Sequence, residues 1–174
     1  MMKAADGSHL SICSCESVVG SDVPNHLIRT ATEADLPFIR GMVARLRLDN
    51  EDLHAEQFIV VEEGGRTVAF GRVKPYSRTF ELGCVAVVED RRDQGLGELV
   101  VRELIRRFPQ RCVYVTTDIP DYFQRLGFVR TGALPRELSE KIGRVEGKLR
   151  SGVVGMVYRR PGPTGGQEGE PHDD

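Results

Sequence analysis

The chain has 174 residues, of which 40% are hydrophobic and 29% charged, and its formal net charge at pH 7 is −2. This length and composition predict one globular domain with a real core. Acidic and basic residues alternate and the longest apolar runs are only a few residues, so we expect no nucleic-acid partner, no membrane partner and a cytoplasmic protein.

The four cysteines do not form a metal-binding set. Cys13 and Cys15 lie in a polar segment, whereas Cys84 and Cys112 lie in apolar stretches typical of strands. We therefore expect no metal ion, and buried free thiols at Cys84 and Cys112.

Both ends of the chain differ in composition from its middle. Residues 1–25 are rich in Ser, Gly and Asp without steady periodicity, and we predict a mobile leader there. Residues 161–174 are dense in Pro, Gly and acidic residues, which predicts a disordered tail. Residues 26–160 then form the single domain.

The domain is predicted to begin with a strand and a helix. Residues 26–31 read as the strand, and Thr32 to Asp35 resemble a capping box with Asp in the place of the usual Glu. The helix that follows carries its apolar residues at helical spacing on one face: Ile39, Met42, Val43 and Leu46.

Three strands in an antiparallel meander are predicted next, after a polar loop or short helix at residues 49–56. The strands cover residues 58–62, 67–73 and 79–88, with a Gly64-Gly65 turn and a second turn at residues 74–77. The third contains the continuous apolar run Cys84 to Val88, which predicts a strand covered on both faces.

A turn and a helix follow the third strand. From Gly95 the apolar residues recur at helical spacing until Pro109 ends the pattern. Residues 111–116 predict a strand parallel to the third one, because a helix connects the two.

The remaining elements are shorter. A helix starting at Pro120 and ending near Gly127, a strand at residues 128–131, a partly helical stretch at 134–148 and a last strand at 153–159 complete the domain.

The turn between the third strand and the helix is suited to an anion. The first backbone N–H groups of a helix lack partners within it, and the helix dipole is positive at that end. Gly95 and Gly97 leave the backbone open, and Arg92 can add a charge-assisted contact. The alternative interpretation is a tight turn whose arginines face water.

Two segments, one after the other along the chain, resemble the conserved motifs of a known family. Arg92-x-x-Gly95-x-Gly97 after a strand resembles the acetyl-CoA pyrophosphate loop of the GNAT superfamily of N-acetyltransferases, and Tyr122 to Phe128 resembles that family's second conserved stretch. The resemblance covers roughly residues 27–160. It implies an α/β (α+β) fold: a mixed, mostly antiparallel central sheet flanked by helices, with a parallel strand pair splayed around the acetyl-CoA site.

The resemblance also implies an acetyl-CoA-dependent transfer to a primary amine by direct attack in a ternary complex. Glu81 matches the position of a general base in histone acetyltransferases and N-acetylglutamate synthases. The implied acetyl-CoA contacts are Cys84, Val85, Val87, Arg92, Gln94, Gly95, Leu96, Gly97 and Phe123.

Phe123 stands where many members of the family have a tyrosine that protonates the departing thiolate. Tyr122 is adjacent and is the candidate for that role, with water or the substrate ammonium as alternatives. A single helical step rotates a side chain by roughly 100°, so Tyr122 can instead belong to the core or face solvent.

Glu81 to Val87 and Arg150-Ser151 are similar to the acetyltransferase module of N-acetylglutamate synthase. This implies an amino-acid acceptor, L-glutamate first, held by Arg150 and Ser151 with Arg45 or Arg47 as a second anchor. The alternatives are another small amine, a peptide N-terminus, or a non-catalytic acyl-CoA-binding module. A homodimer is compatible with the sequence.

Overall fold

The computed structural model describes residues 26–145 and 152–161. The predicted leader and all of the predicted tail except Pro161 lie outside the described residues, so both boundaries remain predictions. The described strands are β1 Leu27–Thr30, β2 Phe58–Glu63, β3 Arg66–Pro75, β4 Phe80–Val87, β5 Cys112–Thr117, β6 Val129–Arg130 and β7 Val154–Arg159. The helices are α1 Leu36–Arg45, α2 Leu96–Arg107, α3 Pro120–Arg125 and α4 Arg136–Val145, with short 3-10 turns at Glu33–Asp35, Ala55–Gln57 and Glu89–Arg91.

All seven described strands form one sheet in the order β1-β2-β3-β4-β5-β7-β6. Every neighbouring pair is antiparallel except β4 and β5, which α2 connects and which run parallel. The predicted fold class is therefore confirmed: a mixed, mostly antiparallel sheet with one parallel pair. The second turn of the meander lies slightly later than predicted, since β3 extends to Pro75 and Tyr76 N–H donates to the Thr79 carbonyl.

Helices α1 and α2 cover opposite faces of this sheet, as two consecutive residues of β3 show. The ring of Phe70 lies 6.2 Å from that of Phe38 on α1. A Cβ atom on Gly71 would lie 2.6 Å from Val100 Cγ1 on α2, so only glycine lets α2 approach this strand so closely.

The first helix begins where its sequence predicts. Asp35 accepts hydrogen bonds from the backbone N–H of Thr32 at 2.7 Å and from its hydroxyl at 2.9 Å, which confirms the capping box. Arg29 on β1 also binds the Asp35 carboxylate, at 2.7 and 2.9 Å. The start of α1 is thereby fixed against the edge strand.

A bulge in β4 opens the centre of the sheet. Phe70 pairs with Ala86 and Arg72 with Gly83, so Gly71 alone faces both Cys84 and Val85, and Cys84 has a φ of 50°.

Beyond one registered pair, Glu81 with Tyr114, β4 and β5 no longer pair. Val85 and Val87 are therefore half-buried and line the resulting gap, whereas a strand covered on both faces was predicted. The apolar residues on one face of this strand therefore line a cavity instead of packing against other protein atoms.

The C-terminal elements follow the predicted order with shorter bounds. Gly127, at a φ of 90°, ends α3 before β6, which has two residues where four were predicted. Among the helices in the described ranges, none is both long enough and apolar enough to cross a membrane.

Candidate active site

The gap between β4 and β5 holds a cavity of about 540 Å³, the first cavity. Its walls are the β4 segment from Gly83 to Val87, the end of β5, and Tyr122 and Phe123 of α3. One end of the cavity is closed by the first turn of α2, and Leu46 and Leu48 beyond α1 line it as well.

The first turn of α2 presents backbone donors to this cavity. Gly95 precedes the helix at a φ of 79°, and the first helical hydrogen bond runs from the N–H of Leu99 to its carbonyl, at 3.0 Å. The N–H groups of Leu96, Gly97 and Glu98 therefore have no helical partner. Together with the helix dipole they make an anion site at the wall of the cavity.

Arg92 is the cation available to that site. It is exposed, lines the first cavity, and carries no ion pair within the described part of the chain. Its neighbour Arg91 also lines the cavity but is bound to Glu63 and Asp90. Gln94 lies outside the cavity wall, with its amide 3.5 Å from the Asp90 carbonyl, whereas the other predicted cofactor contacts line it.

Phe123 and Tyr122 both line the first cavity but differ in their burial and in their contacts. Phe123 is buried, with its ring 5.4 Å from that of Phe128. The Tyr122 hydroxyl lies beside Gly97, at the anion end of the cavity. Burial raises the pKa of Tyr122, and Glu98 adds to the rise.

A second cavity of about 100 Å³ adjoins the first on the far side of the β4 bulge. Both cavities are lined by Leu48, Gly83, Cys84, Thr116, Thr117 and Asp118. Charged side chains dominate the rest of its wall: Arg47, Asp49, Arg72, Lys74, Glu81 and Lys141.

Glu81 lies at the floor of the second cavity and is only 3% exposed. Its Oε1 accepts hydrogen bonds from the Thr116 hydroxyl at 2.6 Å and from Lys141 Nζ at 2.9 Å. Its Oε2 accepts from the Tyr76 hydroxyl at 2.9 Å and from Lys141 Nζ at 2.8 Å. Four donor contacts therefore satisfy both oxygens of this buried carboxylate.

Lys141 of α4 bridges Glu81 to a second carboxylate, Asp49, in the loop after α1. Its Nζ lies 2.7 Å from Asp49 Oδ2, and Arg72 lies 3.1 Å from the same oxygen. Burial opposes both charges, but the pair reverses its effect: the pKa of Asp49 falls below its ordinary value and that of Lys141 rises above its own. The ion pair between Lys141 and Asp49 therefore favours the charged forms of both groups.

The second cavity is lined by two further cations, Lys74 and Arg47. Their ion pairs are weaker than those of Lys141 or, in the described ranges, absent. Lys74 is 5% exposed, yet its nearest carboxylates, Asp52 at 3.3 Å and Glu51 at 3.7 Å, belong to exposed side chains. Arg47 is exposed and has no ion pair in the described ranges. These two cations are available to a carboxylate ligand.

Among the predicted acceptor-binding residues in the described ranges, one lines the second cavity and one does not. Arg47 lines the second cavity, whereas Arg45 is exposed on α1 and lines neither cavity. Arg150 and Ser151 lie outside the described residues.

The sequence patterns did not predict four charged residues that line the second cavity: Asp49, Arg72, Lys74 and Lys141. A signal existed for two of them, since Arg72 and Lys74 occupy alternate positions of a central strand and so share one face of it.

Cys84 is a buried thiol between the two cavities. Burial raises its pKa to about 11, and its Sγ donates to the Asp49 carbonyl at 3.1 Å. Within residues 26–145 and 152–161, no three His, Cys, Asp or Glu side chains form a group that could hold a metal ion.

Residues 54–130 match the family described as Acetyltransferase (GNAT) domain. Curated relatives named amino-acid acetyltransferase include that of Actinobacillus pleuropneumoniae serotype 5b, 26% identical over 155 residues, and that of Haemophilus ducreyi, 25% identical over 143 residues. These alignments cover 78% and 72% of this chain but 36% and 33% of the relatives. The chain thus spans about a third of the length of these relatives.

Solved structures show the same fold. N-acetylglutamate synthase from Neisseria gonorrhoeae, complexed with coenzyme A and N-acetyl-glutamate, superposes with a TM-score of 0.65 at 22% identity, over 77% of this chain and 35% of that one. Rv2747 from Mycobacterium tuberculosis, in complex with CoA and NLQ, gives 0.63 at 21% identity, over 78% of this chain and 99% of that one. The predicted resemblance to GNAT acetyltransferases is confirmed by the match over residues 54–130 and by this shared fold.

Proposed function

We propose that the GNAT acetyltransferase domain of this chain binds acetyl-CoA in the first cavity and transfers the acetyl group to the amino group of an amino acid, with L-glutamate preferred. The observation that carries this proposal is the meeting of two chemically distinct cavities at the β4 bulge. One cavity ends in an anion site, and the other is lined by buried charges.

The first cavity suits a long thioester with a pyrophosphate at one end. The free N–H groups of the first α2 turn and Arg92 supply the phosphate contacts. The half-buried Val85 and Val87 supply an apolar wall along the strand gap. The N. gonorrhoeae and M. tuberculosis structures are complexes with coenzyme A, which supports this assignment.

The second cavity suits a small acceptor that carries carboxylates. Arg47 and Lys74 lack complete partners and can bind acceptor carboxylates, while Asp49 and Glu81 offer negative charge to an ammonium group. Its volume of about 100 Å³ favours a free amino acid over a peptide. The names of the curated relatives and the bound N-acetyl-glutamate of the N. gonorrhoeae structure favour L-glutamate.

In the proposed reaction the acceptor nitrogen attacks the thioester carbonyl carbon and coenzyme A leaves as its thiolate. Glu81 removes the amine proton, directly or through one water. Backbone N–H groups of β4 next to the bulge stabilise the developing oxyanion. Phe123 cannot donate a proton, so water or the proton released by the acceptor neutralises the thiolate.

The test is product formation by the full chain with acetyl-CoA, the twenty amino acids and common polyamines, read by mass spectrometry. A product dominated by N-acetylglutamate supports the whole proposal. An acetylated product from another amino acid keeps the reaction and removes the glutamate preference. Acetylated polyamines only, or no product although acetyl-CoA binds, would overturn the amino-acid assignment.

Glu81→Gln separates catalysis from binding. Loss of a general base lowers turnover by roughly 10²- to 10⁴-fold, whereas acetyl-CoA affinity should stay within roughly twofold because Glu81 lines only the second cavity. Glu140→Gln on the exposed face of α4 is the matched control and should keep full turnover.

A further inference from the structure

The wall of the second cavity includes a primary ammonium group, that of Lys141. Lys141 Nζ lies 2.8 and 2.9 Å from the two oxygens of Glu81 and 2.7 Å from Asp49 Oδ2. These carboxylates come from β4 and from the loop after α1, and Lys141 reaches them from α4. The wall they share meets the first cavity at Gly83 and Cys84.

This arrangement conflicts with direct proton removal by Glu81. A base must lie within about 2.6–3.2 Å of the nitrogen that it deprotonates, or one water away. Lys141 holds that position on both carboxylate oxygens, and Tyr76 and Thr116 occupy the remaining hydrogen-bonding directions. An acceptor amine can reach Glu81 directly only where Lys141 now lies.

We propose that Asp49 and Glu81 together form the binding site for the ammonium group of the acceptor, and that Lys141 is a gate that this ammonium displaces. The inference rests on the proposed function, since it assigns the acceptor subsite of the same reaction. Lys141 thus occupies the acceptor position until a substrate enters.

The exchange is electrostatically inexpensive because one primary ammonium replaces another. Removing a single partner from a buried ion pair leaves an uncompensated charge, which is strongly destabilising. The incoming ammonium keeps Asp49 and Glu81 paired, so that cost is avoided. Once Lys141 has left, Glu81 keeps Tyr76 and Thr116 as donors and lies against the nitrogen that it must deprotonate.

Helix α4 packs on the domain through few buried residues, which allows Lys141 to move away from Asp49 and Glu81. Among residues 136–144 of this helix, only Leu138 and Lys141 are buried, one turn apart. Between the described residues, its other polar links to the rest of the domain are a hydrogen bond from Ser77 to Glu137 and an ion pair of 3.7 Å between Arg144 and Glu51. Few buried side chains are typical of a segment that opens locally.

The first experiment compares two ligands that differ only in the ammonium group. Calorimetry measures the Kd of L-glutamate and of glutarate for the wild type and for Lys141→Ala. The proposal expects roughly tenfold tighter L-glutamate binding in the variant, equivalent to about 1.4 kcal/mol, and unchanged or weaker glutarate binding. Equal or weaker L-glutamate binding by the variant, or equal tightening of both ligands, overturns the proposal.

Two further variants identify the cause of any tightening. Arg144→Ala breaks an exposed ion pair of the same helix without touching the carboxylate pair, and should leave the Kd of L-glutamate unchanged. If it tightens binding as much as Lys141→Ala does, loosening of α4 explains the effect and the gate is refuted. Adding Asp49→Asn to Lys141→Ala should remove the gain.

A stability measurement tests the site without acetyl transfer and without the acceptor. Methylammonium chloride should raise the Tm of Lys141→Ala relative to sodium chloride at equal ionic strength, and should not raise the Tm of the wild type. The effect should vanish in Lys141→Ala, Glu81→Gln. Absence of the methylammonium effect overturns the ammonium site even if acetylated product forms, whereas absence of product with the effect present refutes only the proposed function.

Discussion

The hydroxyl of Tyr122 lies 2.9 Å from the point that a Cβ atom on Gly97 would occupy, in the first turn of α2. This hydroxyl is buried and has no hydrogen-bond partner among the described residues. It lies against the first turn of α2, at the anion end of the first cavity and away from the β4 bulge where the thioester would lie. The position fits a contact to acetyl-CoA better than proton donation to the thiolate.

Tyr122→Phe should raise the KM for acetyl-CoA by roughly two- to tenfold, the value of one hydrogen bond of about 0.5–1.5 kcal/mol. We expect kcat and the KM for the acceptor to stay nearly unchanged, because the hydroxyl does not reach the second cavity. Steady-state kinetics with each substrate varied in turn gives this comparison. A hundredfold loss of kcat together with a changed basic limb of the pH profile would instead identify Tyr122 as the acid.

Gly97→Ala should weaken acetyl-CoA binding because its methyl group would press against the Tyr122 hydroxyl. The added methyl group would meet the Tyr122 hydroxyl at 2.9 Å but its Cζ only at 3.8 Å. The double variant with Tyr122→Phe should therefore recover part of the affinity that Gly97→Ala loses. A double-mutant cycle on the Kd of acetyl-CoA measures this coupling, and strict additivity would contradict it.

Arg92→Ala should weaken acetyl-CoA binding by roughly ten- to hundredfold, since charge-assisted hydrogen bonds contribute about 1.5–3 kcal/mol. The loss should shrink as salt is added, because Arg92 is exposed and its field is screened.

Two controls separate a phosphate contact from a general charge effect. Arg102→Ala removes an exposed arginine of α2 that is paired with Glu98, and should leave the Kd unchanged. S-acetyl-pantetheine lacks the phosphates, so its binding should not respond to Arg92→Ala. A similar loss with this donor would place Arg92 away from the phosphates.

Most residues of the proposed cofactor side could be brought together from the sequence because they are contiguous. Arg92 to Gly97 join a strand to a helix, and that connection alone fixes where the free N–H groups point. The order β2-β3-β4-β5 also followed from the turns and from the helical crossover, whereas the place of β7 between β5 and β6 did not.

The acceptor side was not predictable because it is assembled from distant segments. Asp49 follows α1, Arg72 belongs to β3 and Lys141 to α4, and no local sequence pattern indicates that these charged residues are buried together. Only the fold shows that the β4 bulge and the α4 contact bury them together.

Asp49→Asn should destabilise the domain near neutral pH and lose that effect in acid. The folded-state pKa of Asp49 is below its ordinary value, so its ion pairs stabilise the fold fully above the unfolded pKa of about 3.9 and less as the pH falls through the folded one. The difference in unfolding free energy between wild type and variant should be constant above about pH 5 and shrink below about pH 4.

Urea unfolding across this pH range measures the effect. Glu140→Gln, which breaks an exposed ion pair with Arg136, should leave stability nearly unchanged throughout. A difference for Asp49→Asn that grows as the pH falls would have the wrong sign for this ion-pair network.

Cys84→Ala should keep turnover, although the thiol lies between the two cavities. Burial raises the Cys84 pKa to about 11, about two units above a free thiol, which leaves roughly a hundredfold less thiolate at neutral pH. The thiol is therefore a poor nucleophile, and the acetyl group should pass to the acceptor without an acetyl-cysteine. Alanine is no bulkier than cysteine at the φ of 50°, so the bulge should persist.

Two measurements check the role of Cys84. Initial-rate patterns should be sequential, not ping-pong, in both wild type and variant. Peptide mapping after brief treatment with iodoacetamide should show Cys84 labelled at least roughly tenfold more slowly than the half-buried Cys112, because thiolate fraction and access both limit the reaction. An acetylated Cys84 peptide recovered after incubation with acetyl-CoA alone would refute direct attack.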